Sequence, residues 1–160
     1  MVAFTIVDNQ ETWNTALGTL GDGHLLQSWQ WGELKSKYGW KPARILWHDD
    51  SQTPIAAAQL LFRTTTGNLT IAYCPRGPIL NWEDPVLYSR VLRDLSDHAS
   101  QHRAIFVKMV VISTVLNSVL ASILRRVMIL TFGCESDNNR ANASSTLSFT
   151  TPEIPRALIP

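Results

Sequence analysis

The sequence predicts one α/β domain of the α+β kind, and three observations carry that reading. Helix signals fill the first forty residues. Three extended runs separated by turns then follow between Ala43 and Tyr73, the pattern of an antiparallel meander. A helix start at Asp84-Pro85 later leads directly into an apolar strand at Ala104. A chain of 160 residues suits a single domain with a sizeable core.

Asn9-Gln10-Glu11-Thr12-Trp13 opens a short helix towards Leu20, and Gly21-Asp22-Gly23 turns the chain. Ser28 caps the next helix, and Gly39 closes it in a left-handed position. Trp31, Leu34, Lys35 and Tyr38 fall at i, i+3, i+4 and i+7, which puts them on one expected apolar face. Lys35 must therefore either snorkel its ammonium into water or meet an anion.

Strands are expected at Ala43–His48, Ile55–Arg63 and Leu69–Tyr73, with turns at 49–54 and 66–68. Ala56, Ala57 and Ala58 imply close packing beneath a helix. Asp84 caps a helix that starts on Pro85, repeats Leu87, Val91 and Leu95 on one face, and runs to about Gln101. A buried strand is expected at Ala104–Val107, and a helical stripe from Leu116 to Val127. Beyond residue 132 the chain turns polar. Ser136 to Thr151 reads as loop or disorder, so the expected domain is 1–132 with a tail at 133–160.

Composition excludes several classes. Hydrophobic residues are 45% and charged residues 17%, which is globular, and a net charge of +1 gives no global pull towards nucleic acid. Cys74 and Cys134 lie in no metal-type spacing. The N-terminus lacks the basic start and long apolar core of a signal peptide, so a reducing cytoplasm is expected. The uncharged stretch from Met109 to Leu124 is too short and too polar for a spanning helix. Asp94, His98 and His102 stand four apart, but a fourth ligand is not evident, and no metal is expected. Neither a phosphate loop nor a dinucleotide fingerprint is present.

One stretch organises the rest. In Ala72-Tyr73-Cys74-Pro75-Arg76-Gly77-Pro78 a strand ends in a loop stiffened by two prolines, with Arg76 as its one charge. Gly77 is the residue expected to take positive φ. Such a loop is either a tight connection with a solvated arginine or a mount that aims a guanidinium at an anion. Cys74 reads as a packed thiol.

Together with Gln27-Ser28-Trp29-Gln30-Trp31-Gly32-Glu33-Leu34-Lys35, Gly39-Trp40 and Ala56-Ala57-Ala58-Gln59-Leu60-Leu61, that stretch resembles the Fem family. These are FemABX-type aminoacyltransferases of peptidoglycan bridge synthesis. The resemblance covers Gln27 to Lys108, about half the chain. It implies a GNAT-like mixed sheet flanked by helices, and transfer of an amino acid from aminoacyl-tRNA to the stem peptide of a peptidoglycan precursor. It implies no metal or other cofactor, and work close to a membrane surface without a spanning segment. It implies that Lys35 reaches the precursor's pyrophosphate, and that Trp31, Tyr73, Arg76 and Gly77 line the same cleft.

The sequence also departs from the family. The family strand matching Ala104 to Lys108 runs into an Asp-Pro pair whose aspartate lies in the cleft. Here Lys108 is followed by Met109-Val110-Val111-Ile112, and a second GNAT-like domain is not matched. The expectation is an incomplete, truncated or frame-disrupted copy that does not catalyse transfer alone. Two rivals remain, a non-catalytic binding fragment and an acyl-CoA-dependent GNAT acetyltransferase. The second lacks its glycine-rich pyrophosphate loop.

Overall fold

The computed structural model describes residues 3–21, 23–111, 126–131 and 146–149. Its elements run β1 (Ala3–Ile6), α1 (Gln10–Leu20), a 3-10 turn (Leu25–Gln27), α2 (Trp29–Ser36), β2 (Lys41–His48) and β3 (Pro54–Thr64). They continue through β4 (Thr70–Cys74), β5 (Ile79–Leu80), α3 (Pro85–Gln101), β6 (Ala104–Val111), β7 (Arg126–Thr131) and β8 (Thr146–Phe149). All described strands join one mixed sheet in the order β1-β2-β3-β4-β6-β7-β8, with the short β5 on β3. The sheet is antiparallel except where β6 returns beside β4, parallel to it, after the α3 crossover.

The helices begin where their caps stand. Asn9 accepts from Thr12 N to open α1, and Ser28 Oγ accepts from Trp31 N to open α2. Asp84 Oδ1 accepts from Val86 N and Leu87 N, both at 3.0 Å, and Pro85 follows at the first helical position. Gly21 and Gly39 both take the left-handed conformation after their helices.

The meander is as expected, with Leu46 opposite Ala57 and Leu61 opposite Tyr73. Because side chains alternate along β3, its two faces build two cores. Ala56, Ala58, Leu60 and Phe62 pack with Val91, Leu95 and Ala99 of α3. Ala57 packs with Leu46, Ile79 and the α1 residues Trp13, Ala16 and Leu17. The three alanines are fully buried because helices press on both sides.

Four differences from the sequence expectations have physical reasons. The edge strand β1 has all four residues exposed, so it shows no alternation and is held by backbone pairing to β2. Arg126 and Val127, expected to end a helix, instead open β7 against β6; the remainder of that stripe lies outside the described residues. Thr146–Phe149, inside the segment expected to be loop, is a strand on β7, again supported by ladder hydrogen bonds. On α2 the expected apolar face is not the buried one. Leu34 is 44% and Tyr38 67% exposed, and Gly32 is the position that meets the sheet.

Candidate functional site

Gly32 docks α2 because a side chain there has no room. A Cβ would collide with Arg44 Nη2 and stand 2.5 Å from Gln59 Oε1. These two atoms belong to a buried polar network on the α2 face of the sheet. Arg44 Nε donates to Gln59 Oε1 at 3.0 Å, while Arg44 Nη2 donates to Glu33 Oε1 at 3.0 Å and to Trp29 O at 3.2 Å. The Arg44 guanidinium lies 3.4 Å from the centre of the Trp29 ring. Gln59 Nε2 donates to the carbonyls of Leu26 and Ser28. Burial works against the Arg44 charge and lowers its pKa, and the bond to Glu33 works for it.

Gln27 carries this network to the Pro75–Pro78 loop. Its Oε1 accepts from Gln59 N at 2.7 Å, its Nε2 donates to Pro75 O, and its own carbonyl accepts from Trp13 Nε1 at 2.8 Å. One buried amide therefore joins the start of α2, the middle of β3 and the loop that holds Arg76. A buried amide satisfied at both ends fixes position well, because breaking either bond leaves an unpaired group.

The loop corrects one expectation. Gly77 is not the left-handed residue; Arg76 is, at φ 52°. The Gly77–Pro78 peptide is cis. Gly77 is needed for space: a Cβ there would stand 2.8 Å from Gln27 Nε2 and 3.0 Å from Cys74 Sγ. It is buried, while Arg76 is half-buried and takes the backbone conformation that L side chains disfavour. Cys74 is fully buried, as expected of a packed thiol, and burial pushes its thiol up to about 12.

On the same sheet face stand the aromatic and cationic residues. Lys35 Nζ lies 5.2 Å from the Trp31 ring centre and 5.8 Å from that of Trp40. Arg63 Cζ lies 5.7 Å from the same Trp40 ring. Tyr73 pairs with Leu61 on one side and Lys108 on the other, which turns both towards the α2 face. Burial raises the Tyr73 pKa, the neighbouring Cys74 adds to this, and Arg76 opposes it. Among the described residues the ion pairs are Arg44–Glu33 and Arg90–Asp94, so Lys35, Arg63, Arg76 and Lys108 have no acidic partner there.

The model of the FemAB family matches residues 11–113. The chain belongs to the FemAB family. Among solved structures it is similar to FemX, with 22% identity and a TM-score of 0.60, over 68% of this chain and 27% of that one. It thus spans about a quarter of the FemX chain. A probable acetyltransferase from Staphylococcus epidermidis ATCC 12228 also matches, at 12% identity and TM-score 0.48, over 76% of this chain and 80% of that one. An acetyltransferase from Trypanosoma brucei matches at 11% and 0.48, over 72% and 84%. No curated protein matches. The mixed sheet flanked by helices is present as expected, and its likeness to FemX confirms the fold of this FemAB-family chain.

Four of the five residues expected to line a cleft fall into two groups. Trp31 and Lys35 are together against Trp40, and Tyr73 and Arg76 are together at the strand end. Arg63, on the strand between β2 and β4, stands with the Trp40 group and was not singled out from sequence. Gly77 faces inwards and packs.

On the opposite face, Asp94 is engaged by Trp47 Nε1 at 2.9 Å and by Arg90 Nε at 2.9 and 3.0 Å. His102 stacks on Phe62, and His98 lies tilted against both rings. These three residues tie α3 to the sheet, and no metal-type cluster occurs among the described residues.

Proposed function

We propose that this FemAB-family chain carries the precursor-binding cleft of an aminoacyltransferase of cell-wall bridge synthesis. The observation that carries it is Lys35. Lys35 is half-buried and its ammonium lies near both the Trp31 and Trp40 rings, without a carboxylate partner among the described residues, on the face that also bears Tyr73. A cation so placed keeps charge for a ligand and does not neutralise it within the fold. The acceptor is the stem-peptide amine of a nucleotide- or lipid-linked muropeptide, and the donor is aminoacyl-tRNA. The amine attacks the aminoacyl ester carbonyl, a C–N bond forms, the ester C–O bond breaks, and the tRNA hydroxyl leaves with the proton. The protein's part in such a step is alignment and charge stabilisation.

For the 160 residues themselves the reading is binding without transfer. Where a cleft carboxylate would be expected, β6 runs on from Lys108 through buried Met109, and Glu33 is engaged by Arg44. Work at a membrane surface and in the cytoplasm belongs to the same proposal. Calorimetric titration with a nucleotide-linked muropeptide tests it. Binding is expected, weakened in Lys35→Ala with thermal stability nearly unchanged. Loss of stability with intact binding would return Lys35 to a packing role. Transfer from charged tRNA by the purified chain, above the Lys35→Ala control, would overturn the binding-only part.

A further inference from the structure

The geometry points to Arg63 as a second anion-binding residue, which with Lys35 makes a two-cation clamp on Trp40 for a ligand with two charged phosphoryl groups. Lys35 Nζ and Arg63 Cζ lie 5.8 and 5.7 Å from one indole centre. Neither is paired with a carboxylate among the described residues, whereas buried Arg44 is paired with Glu33 on the same side of the sheet. Two like charges drawn to one ring repel each other, and the ring offsets only part of that. An anion between them removes the repulsion. Trp31 Nε1 adds an unused donor, since it is buried without a hydrogen-bond partner and its ring already touches Lys35.

Arg63 is held where a clamp needs it. It pairs with Ile71 across from β4, two residues along from the Leu61–Tyr73 pair, so it shares the α2 face with Tyr73. It is exposed at the strand end and free to turn its fork towards a phosphate, which guanidinium binds in two-pronged fashion. Arg63 is thus the one described cation in contact with the Trp40 cluster that also neighbours the Tyr73 strand. This inference rests on the precursor-binding reading only for the identity of the full ligand; the clamp itself is defined by charge.

The test is calorimetric titration of the full chain with two probes, a nucleotide-linked muropeptide and inorganic pyrophosphate. The proteins are the parent chain, Arg63→Ala, Arg63→Gln, Lys35→Ala and Arg93→Ala, the last being an exposed arginine on α3. Arg63→Gln keeps part of the aliphatic stem against Trp40, so it separates charge from packing. Arg63→Ala and Arg63→Gln are each expected to weaken both probes about tenfold, to flatten the salt dependence of binding, and to melt like the parent. Arg93→Ala should bind as the parent does. If Lys35→Ala weakens the muropeptide while both Arg63 variants bind like the parent, the clamp is wrong and the cleft reading stands. If pyrophosphate binds in an Arg63-dependent way but the muropeptide does not bind, the clamp stands and the cleft reading falls. If neither probe binds the parent, both fall.

Discussion

The two faces of the sheet are built on opposite plans. Beneath α3 the packing is apolar, with Val91, Leu95 and Ala99 against Leu60, Phe62 and Val107. Of its polar groups, Asp94 closes on Trp47 and Arg90, while His98 Nε2 is buried without a hydrogen-bond partner. Beneath α2 the centre is polar: Gln27, Arg44 and Gln59 are buried and bonded to backbone on three segments. The apolar face supplies adhesion that is insensitive to orientation. The polar face supplies position, because amides and guanidinium have bonding directions. On the proposed reading, position is what the residues around Tyr73, Arg76 and Lys35 require. The two faces therefore differ in kind, with non-directional apolar packing on one side and directional polar bonding on the other.

The largest expected effect tests the apolar side. Leu95→Ala should destabilise by about 2–5 kcal/mol in denaturant unfolding, and the folded fraction should bind muropeptide as the parent does. Weakened binding in that fraction would break the division. On the polar side, Gln59→Leu leaves Arg44 Nε and the carbonyls of Leu26 and Ser28 without their partner. A loss of about 2–3 kcal/mol is expected, accompanied by weaker ligand binding because α2 and the loop lose register. A stable variant with intact binding would show that position comes from elsewhere.

Gly77→Ala sharpens the comparison at the loop. Its Cβ meets Gln27 and Cys74, so about 1–3 kcal/mol should be lost by overpacking, read as a lower melting temperature. Arg76→Gly works the other way. Relief of the left-handed backbone should raise stability by about 1 kcal/mol or less, while muropeptide affinity falls. A variant that gained neither stability nor lost affinity would deny that the strain is kept for the arginine.

The smallest effect lies on the apolar face. Burial, then the neighbouring His102, holds the His98 pKa below the ordinary 6.5. As pH falls the unfolded chain takes the proton first. Stability is therefore whole above about 6.5 and declines below it until the folded imidazole protonates too. His98→Gln should flatten that acid-side slope in melting temperature, and an unchanged slope would assign it to other groups.

The sequence made the meander, the α3 cap and the place of the Arg76 loop at a strand end legible, because capping, alternation and proline act locally. The adjacency of Trp31 and Lys35 was legible from their four-residue spacing. What escaped was the polar network, since its bonds join residues 27, 44, 59 and 75, far apart along the chain. A signal existed: Gln59 interrupts the run Ala56-Ala57-Ala58-Gln59-Leu60-Leu61, and Arg44 opens Arg44-Ile45-Leu46-Trp47. A polar residue inside an apolar strand has to be bonded. Arg63 escaped because a cation at a strand end looks like ordinary surface. The buried face of α2 was misread since periodicity cannot tell which stripe meets the sheet when a glycine makes the contact.

Cys74 gives the molecule a built-in clock. Its thiol is fully buried, pushed up to about 12, and within reach of the Gln27 amide at 3.7 Å. In the closed state it cannot meet a thiol reagent, so its rate of labelling, located by peptide mapping, counts how often the surrounding structure opens. Gln27 holds both this sulfur and the Pro75 carbonyl. The same opening that exposes Cys74 therefore releases the loop beneath Arg76. A ligand gripping Arg76 should slow the clock, and one bound elsewhere on the sheet should leave it running at its own pace.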